Sequence, residues 1–172
     1  RLLRKPWCDR RCAAGYASQS RIAGHTKACA KVDIKPDQLA WRAGYDRGLL
    51  RYCTPQNGLF VGQKGQTYNN VCPADMASDF IAAYSVGKRA YDAESELDSL
   101  KQDIESKQDE VSELLKDFAG MNQKDQLAAQ FEIAELNAEI QRLQADVVQL
   151  STDVARTKSE AEAYRQKLLS GS

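Results

Sequence analysis

From Val86 to Leu168 apolar residues recur at steps of four and three, a rhythm that only long helices covering one another can satisfy. The first run is Val86, Ala90, Ala93, Leu97, Leu100, Ile104, Lys107, Val111, Leu114 and Phe118, with Lys107 its one polar member. The second is Ile133, Leu136, Ile140, Leu143, Val147, Leu150, Val154, Thr157, Ala161, Tyr164 and Leu168. A heptad held for about five repeats exceeds the three to four that argue for a coiled coil. The runs are nearly equal in length and are separated by Ala119-Gly120-Met121-Asn122-Gln123. Equal arms around a short break predict an antiparallel hairpin in which each arm covers the other's stripe. Arms of about 40 residues would extend about 60 Å. The competing arrangement is one long helix that dimerises, since a glycine inside a helix costs only about 1 kcal/mol.

The rest of the chain has a different character. All five cysteines and seven of the ten glycines lie in residues 1–72. The expected organisation is therefore a Cys/Gly-rich basic head over 1–72 and a coiled-coil helical hairpin over 73–172, a mainly α architecture. A head of about 70 residues is near the size at which a core alone is marginal, so covalent staples are natural supports. The composition of Trp7 to Lys31 predicts a helix. A connector at Val32–Asp37 leads into a second helix that Pro36 opens and that runs through Leu39, Trp41, Leu49 and Tyr52 to Cys53. Thr54-Pro55-Gln56-Asn57-Gly58 reads as its end, because Pro55 disfavours helix at Thr54 and Asn57-Gly58 is turn chemistry. Residues 59–71, punctuated by Gly62 and Gly65, read as an irregular loop or short hairpin. Pro73 can then open a third helix, with Asp75 near its positive end.

Cys53 and Cys72 flank that loop, one ending a helix and the other starting the next, and they are the preferred disulfide pair. Closing a loop of this size would stabilise the head by about 3 kcal/mol. Cys8 and Cys12 are four residues apart, as are His25 and Cys29. Together these could form a Cys₃His zinc site, but no CxxC pair occurs and structural disulfides are the favoured reading. The pairing of Cys8, Cys12 and Cys29 stays open, and an odd count leaves one thiol unpaired or linked to another chain. Gly44 and Gly48 put two small residues on one helical face, suited to close packing of another helix. Trp7, Tyr16, Trp41, Tyr45, Tyr52, Phe60 and Tyr68 are the candidate core of the head.

Net charge is zero, yet it is divided: residues 1–72 carry 13 Lys/Arg against 4 Asp/Glu, a net +9, and residues 73–172 carry 11 against 20, a net −9. The split suggests an anionic partner for the head or contact between oppositely charged halves. Arg10, Arg11, Arg21, Lys27, Lys31 and Lys35 are the head's candidate phosphate-binding residues. Nucleic acid is not the expected partner, because five cysteines suit an oxidising compartment. No P-loop, HExxH, GxSxG or dinucleotide fingerprint occurs, and no carboxylate pair in the head stands out as catalytic. Neither enzymatic activity nor a cofactor is expected. No run approaches the roughly 18 apolar residues of a membrane span. The opening Arg1-Leu2-Leu3-Arg4-Lys5 reads as a mature or trimmed product.

His25-x-x-x-Cys29, Tyr45, Gly48-Leu49-x-x-Tyr52-Cys53, Asn57-Gly58, Gly62, Gly65, Tyr68 and Val71-Cys72-Pro73 occur in that order. Over about residues 15–91 this pattern resembles the proteobacterial envelope lipoproteins classed under domain of unknown function 2799. The resemblance implies a periplasmic location, outer-membrane anchoring through a lipidated cysteine upstream of Arg1, and a helical C-terminal part. It supplies no catalytic residues. Near Trp7 the chain departs from the family pattern, with Cys8 and Cys12 standing where an aromatic and glycines are usual. The resulting expectation is a non-enzymatic cell-envelope structural or interaction protein, a disulfide-stabilised head with a coiled-coil spacer or assembly arm. Its partner would be an envelope protein or an anionic envelope component, with homo-oligomerisation through the coiled coil also open. The alternative is a ligand- or metal-binding periplasmic module using the head aromatics, His25 and nearby thiols.

Overall fold

A computed structural model of the chain describes residues 38–171, together with Lys27, Ala30 and Lys31. The described elements are helices: α1 Gln38–Tyr52, α2 Pro55–Gln63, α3 Ala74–Asp117 and α4 Gln123–Ser170, with a 3-10 turn at Phe118–Gly120 between the last two. Among the described residues there is no strand. Two compact units result. One holds residues 38–61 and 66–85, the other residues 62–65 and 86–171. The expected boundary at 72/73 is thus displaced along the chain. The first three turns of α3 belong to the first unit, because Phe80 and Ala83 are completely buried there.

In the first unit α1 turns inward a face spaced by three and four, with Trp41, Leu49 and Cys53 buried and Tyr45 and Tyr52 half-buried. The rings of Trp41 and Tyr45, one turn apart, stack with centroids 5.3 Å apart. The chain then re-enters helix at once. Pro55 takes the first position of α2, where its missing N–H costs nothing. Thr54 caps the helix: its Oγ1 accepts from the Asn57 N–H at 3.3 Å, and its carbonyl accepts from the Gly58 N–H at 2.9 Å.

Two sequence expectations are corrected here. Asn57-Gly58 is not a turn, and Leu59, Phe60 and Val61 are helical rather than part of a loop. Gly58 serves a packing purpose instead. A Cβ at this position would lie 3.2 Å from the Phe80 carbonyl carbon and 3.3 Å from its Cα, so only glycine lets α2 approach α3 this closely. The irregular stretch is shorter than expected and begins at the end of α2. Gly65 stands there at φ 64°, and the Gln66 N–H reaches back to the Val61 carbonyl at 3.1 Å. Phe60 is also corrected as a core residue: it is 53% exposed, and Leu59 and Val61 on either side are buried instead.

The second unit contains the C-terminal part of α3, the 3-10 turn and α4. Asn122 caps α4 by accepting from the Asp125 N–H at 3.1 Å, and Asp125 adds an acid to the first turn. Buried positions along α3 include Ala90 and Leu97, and along α4 they include Ala129, Leu136, Ile140, Val154, Thr157 and Ala161. Leu100, Ile104, Lys107, Val111, Leu114, Ile133, Leu143, Val147 and Leu150 are half-buried. Ion pairs join the two helices at Arg89–Glu160 (3.4 Å), Glu94–Lys158 (2.6 Å) and Lys107–Glu139 (2.6 Å). As the residue number rises along α3, the partner number falls along α4.

Candidate functional site

The first unit is built around sulfur and aromatic rings. Cys53, directly after α1, and Cys72, just before α3, form a disulfide with Cα atoms 5.6 Å apart. Cys53 belongs to a buried cluster with Leu49, Val61 and Phe80. Phe80 is the centre of the ring packing: its centroid is 5.2 Å from that of Tyr52, 4.7 Å from Tyr68 and 6.5 Å from Tyr84. The phenols anchor the irregular segment. The Tyr68 hydroxyl accepts from the Cys72 N–H at 3.2 Å, and the Tyr84 hydroxyl donates to the Gln66 carbonyl at 3.0 Å. Burial, reinforced by the neighbouring phenols of Tyr68 and Tyr84, raises the Tyr52 hydroxyl above its ordinary value. Among the described residues no buried side-chain polar atom lacks a partner, so this core reads as a finished scaffold.

The outward face of α1 has a different composition. Leu39, Ala43 and Leu50 form an exposed strip with Arg47 and Arg51 along one side and Arg42 along the other. Arg42 pairs with Asp46 at 3.7 Å on the same surface. Gly44 is buried and Gly48 half-buried on the opposite side of the helix. An apolar strip bordered by guanidinium groups suits a surface that offers both phosphates and acyl carbon, since a guanidinium can make paired hydrogen bonds to phosphate oxygens.

In the second unit, the seam's one polar α3 position has a specific partner. Lys107 donates to Glu139 at 2.6 Å, which raises the lysine and lowers the carboxylate from their ordinary values, the hydrogen bond being the largest cause in both. Thr157, the buried polar position of α4, donates its hydroxyl within its own helix to the Asp153 carbonyl at 2.9 Å. One shallow groove on these helices is lined largely by acidic residues, Asp109, Glu110, Glu113, Asp117 and Glu132.

Cys8, Cys12, His25 and Cys29 lie outside the described residues, as do Arg10, Arg11, Arg21, Lys35, Trp7 and Tyr16. Lys27 and Lys31 are exposed. Sequence reasoning missed Phe80 and Tyr84. The signal was their spacing ahead of the long heptad: Phe80 stands four after Met76, three after Ala77 and three before Ala83, and Tyr84 stands four after Phe80 and three before Gly87. It also missed Arg42, Arg47 and Arg51, which alternate with the inward aromatics of α1 and are visible once that helix is drawn as a wheel.

Residues 9–89 match the family described as "Protein of unknown function (DUF2799)". The match spans just under half of the chain and covers both disulfide cysteines and the first turns of α3. No curated protein and no solved structure matches the chain. Among the described residues no helix is long and apolar enough to cross a membrane.

Proposed function

We propose that this chain is a non-enzymatic interaction protein of the cell envelope. Its disulfide-locked head presents the Leu39–Leu50 strip and the arginines of α1 to a phosphate-bearing envelope surface. α3 and α4 form an antiparallel coiled-coil hairpin that acts as spacer and assembly arm. The observation that carries the reading is the set of three ion pairs between α3 and α4, whose partners run in opposite order. Such a hairpin holds two helices side by side over many turns, which suits reach and docking rather than substrate enclosure. The Cys53–Cys72 disulfide supports an oxidising compartment, in keeping with a periplasmic protein.

Two measurements test the reading. A 48-residue α4 spans about 70 Å at 1.5 Å per residue, so small-angle scattering should give a maximum dimension of at least that length. A distinctly smaller value would end the spacer reading. Co-sedimentation with vesicles containing phosphatidylglycerol should exceed that with pure phosphatidylcholine, and an Arg42→Gln/Arg47→Gln/Arg51→Gln variant should lose the difference. Equal binding to both vesicle types would remove the anionic-surface role of α1.

A further inference from the structure

α4 carries a second heptad. The stripe that starts at Leu127 and advances by four and three to Ala155 lies almost opposite the seam. It contains no charged residue, and every position along it is exposed. Its large members are Leu127, Phe131 and Val148, exposed by 55, 69 and 70%. The equivalent stripe on α3 looks ordinary for a solvated face, with Asp98, Glu105, Asp109 and Lys116 in it. On α4 Gln141 and Thr152 are the stripe's only polar members and those besides the three large ones are alanines, so it offers an uncharged, small-residue surface that another helix can approach closely. The charges of α4 instead stand beside the stripe, at positions such as Glu135 and Arg142.

We propose that this outer face of α4 pairs with the same face of a second copy of the chain, antiparallel, about a two-fold axis at Ala138. The sequence is self-complementary in that register. Small Ala138 meets its own copy at the axis, Phe131 faces Ala145, and Leu127 faces Val148. Glu135 of each copy then stands opposite Arg142 of the other, giving two equivalent ion pairs, as an isologous interface requires. The neutral Asn137 meets itself on the other flank. Moving the axis to Gln141 would set Arg142 against Arg142, so charge selects the first register over its neighbour. The paired stripes would run from Leu127 to Val148, about 22 residues of helix or about 33 Å. The inference deepens the assembly-arm reading and rests on it only in requiring α4 to be a stable arm.

Sedimentation equilibrium of the full oxidised chain over micromolar concentrations tests it, with far-ultraviolet circular dichroism on the same samples. The expected result is a dimer. Val148→Glu should abolish it. Glu135→Arg or Arg142→Glu alone should weaken it by about tenfold or more, and the double exchange should restore it to near the original affinity. A monomer with full helicity throughout would overturn the pairing and assign the stripe to a different chain. A dimer indifferent to Val148→Glu, or single exchanges that the double does not rescue, would overturn the face or the register. Loss of helicity in the unaltered chain would instead strike the arm itself.

Discussion

Removing the Cys53–Cys72 cross-link should destabilise the first unit by about 3 kcal/mol. The two cysteines are 19 residues apart. In the chain-entropy treatment, closing a loop of that length lowers the unfolded chain's entropy by about 11 cal/mol/K, which is about 3 kcal/mol at 25 °C. For a cooperative unit of this size such a loss corresponds to roughly 10–20 °C in Tm. A Cys53→Ala/Cys72→Ala variant is the appropriate perturbation, because it leaves no orphan thiol to exchange with Cys8, Cys12 or Cys29. Cys53 is also 1% exposed in the Leu49–Val61–Phe80 cluster, so lost packing adds to the effect with the same sign. Trp41 is buried in the first unit, so its contribution to the emission during guanidinium unfolding follows that unit. Far-ultraviolet circular dichroism is dominated by α3 and α4. The emission midpoint should fall well below that of the parent while the dichroism retains its main transition. A stability loss under about 1 kcal/mol would refute the argument that this bond holds the irregular segment to the core.

Gly58→Ala should lower the thermal midpoint of the same unit, by about 1–3 kcal/mol in stability, since the new methyl must displace the Phe80 backbone rather than a movable side chain. In α4, Leu136→Ala should cost about 2–5 kcal/mol in thermal or denaturant unfolding, whereas Val148→Ala in dilute solution should be nearly neutral. Equal effects would refute the proposed seam. The Lys107–Glu139 pair gives a pH signature. Glu139 titrates below the ordinary glutamate value, so its contribution is present above that value and is lost as pH falls through the lowered one. Lys107 titrates above the ordinary lysine value, so its contribution is present below that value and is lost as pH rises through the raised one. Unfolding of Lys107→Met measured across pH should lack both changes.

The long helices were legible because their information is periodic. Leu97, Leu100, Leu136 and Ile140 each repeat the same instruction, so a single exception such as Lys107 does not erase it, and the structure shows that this exception is answered by Glu139. The Cys53–Cys72 bond was legible for a local reason, each cysteine standing where a helix stops or starts. The interior of the head was not. Asn57-Gly58 carries turn chemistry that normally ends a helix, and it outweighed the start signal of Thr54-Pro55, a capping residue followed by proline at the first helical position; nothing nearby reveals that Gly58 must admit the backbone of Phe80, 22 positions along the chain. Phe80 itself lies beyond the last cysteine, in a stretch that reads as the start of the arm. It becomes the centre of the head only because α3 is longer than the seam it serves, leaving its first three turns to pack with the disulfide-bonded segment. Tertiary proximity thus overrode local propensity at Gly58, and one continuous helix blurred a boundary that composition drew at Cys72. The outer stripe of α4 differs again. Its 4-3 spacing is visible in the sequence, but an apolar residue beside a heptad is unremarkable until exposure shows that Phe131 and Val148 lie on the side the seam leaves uncovered.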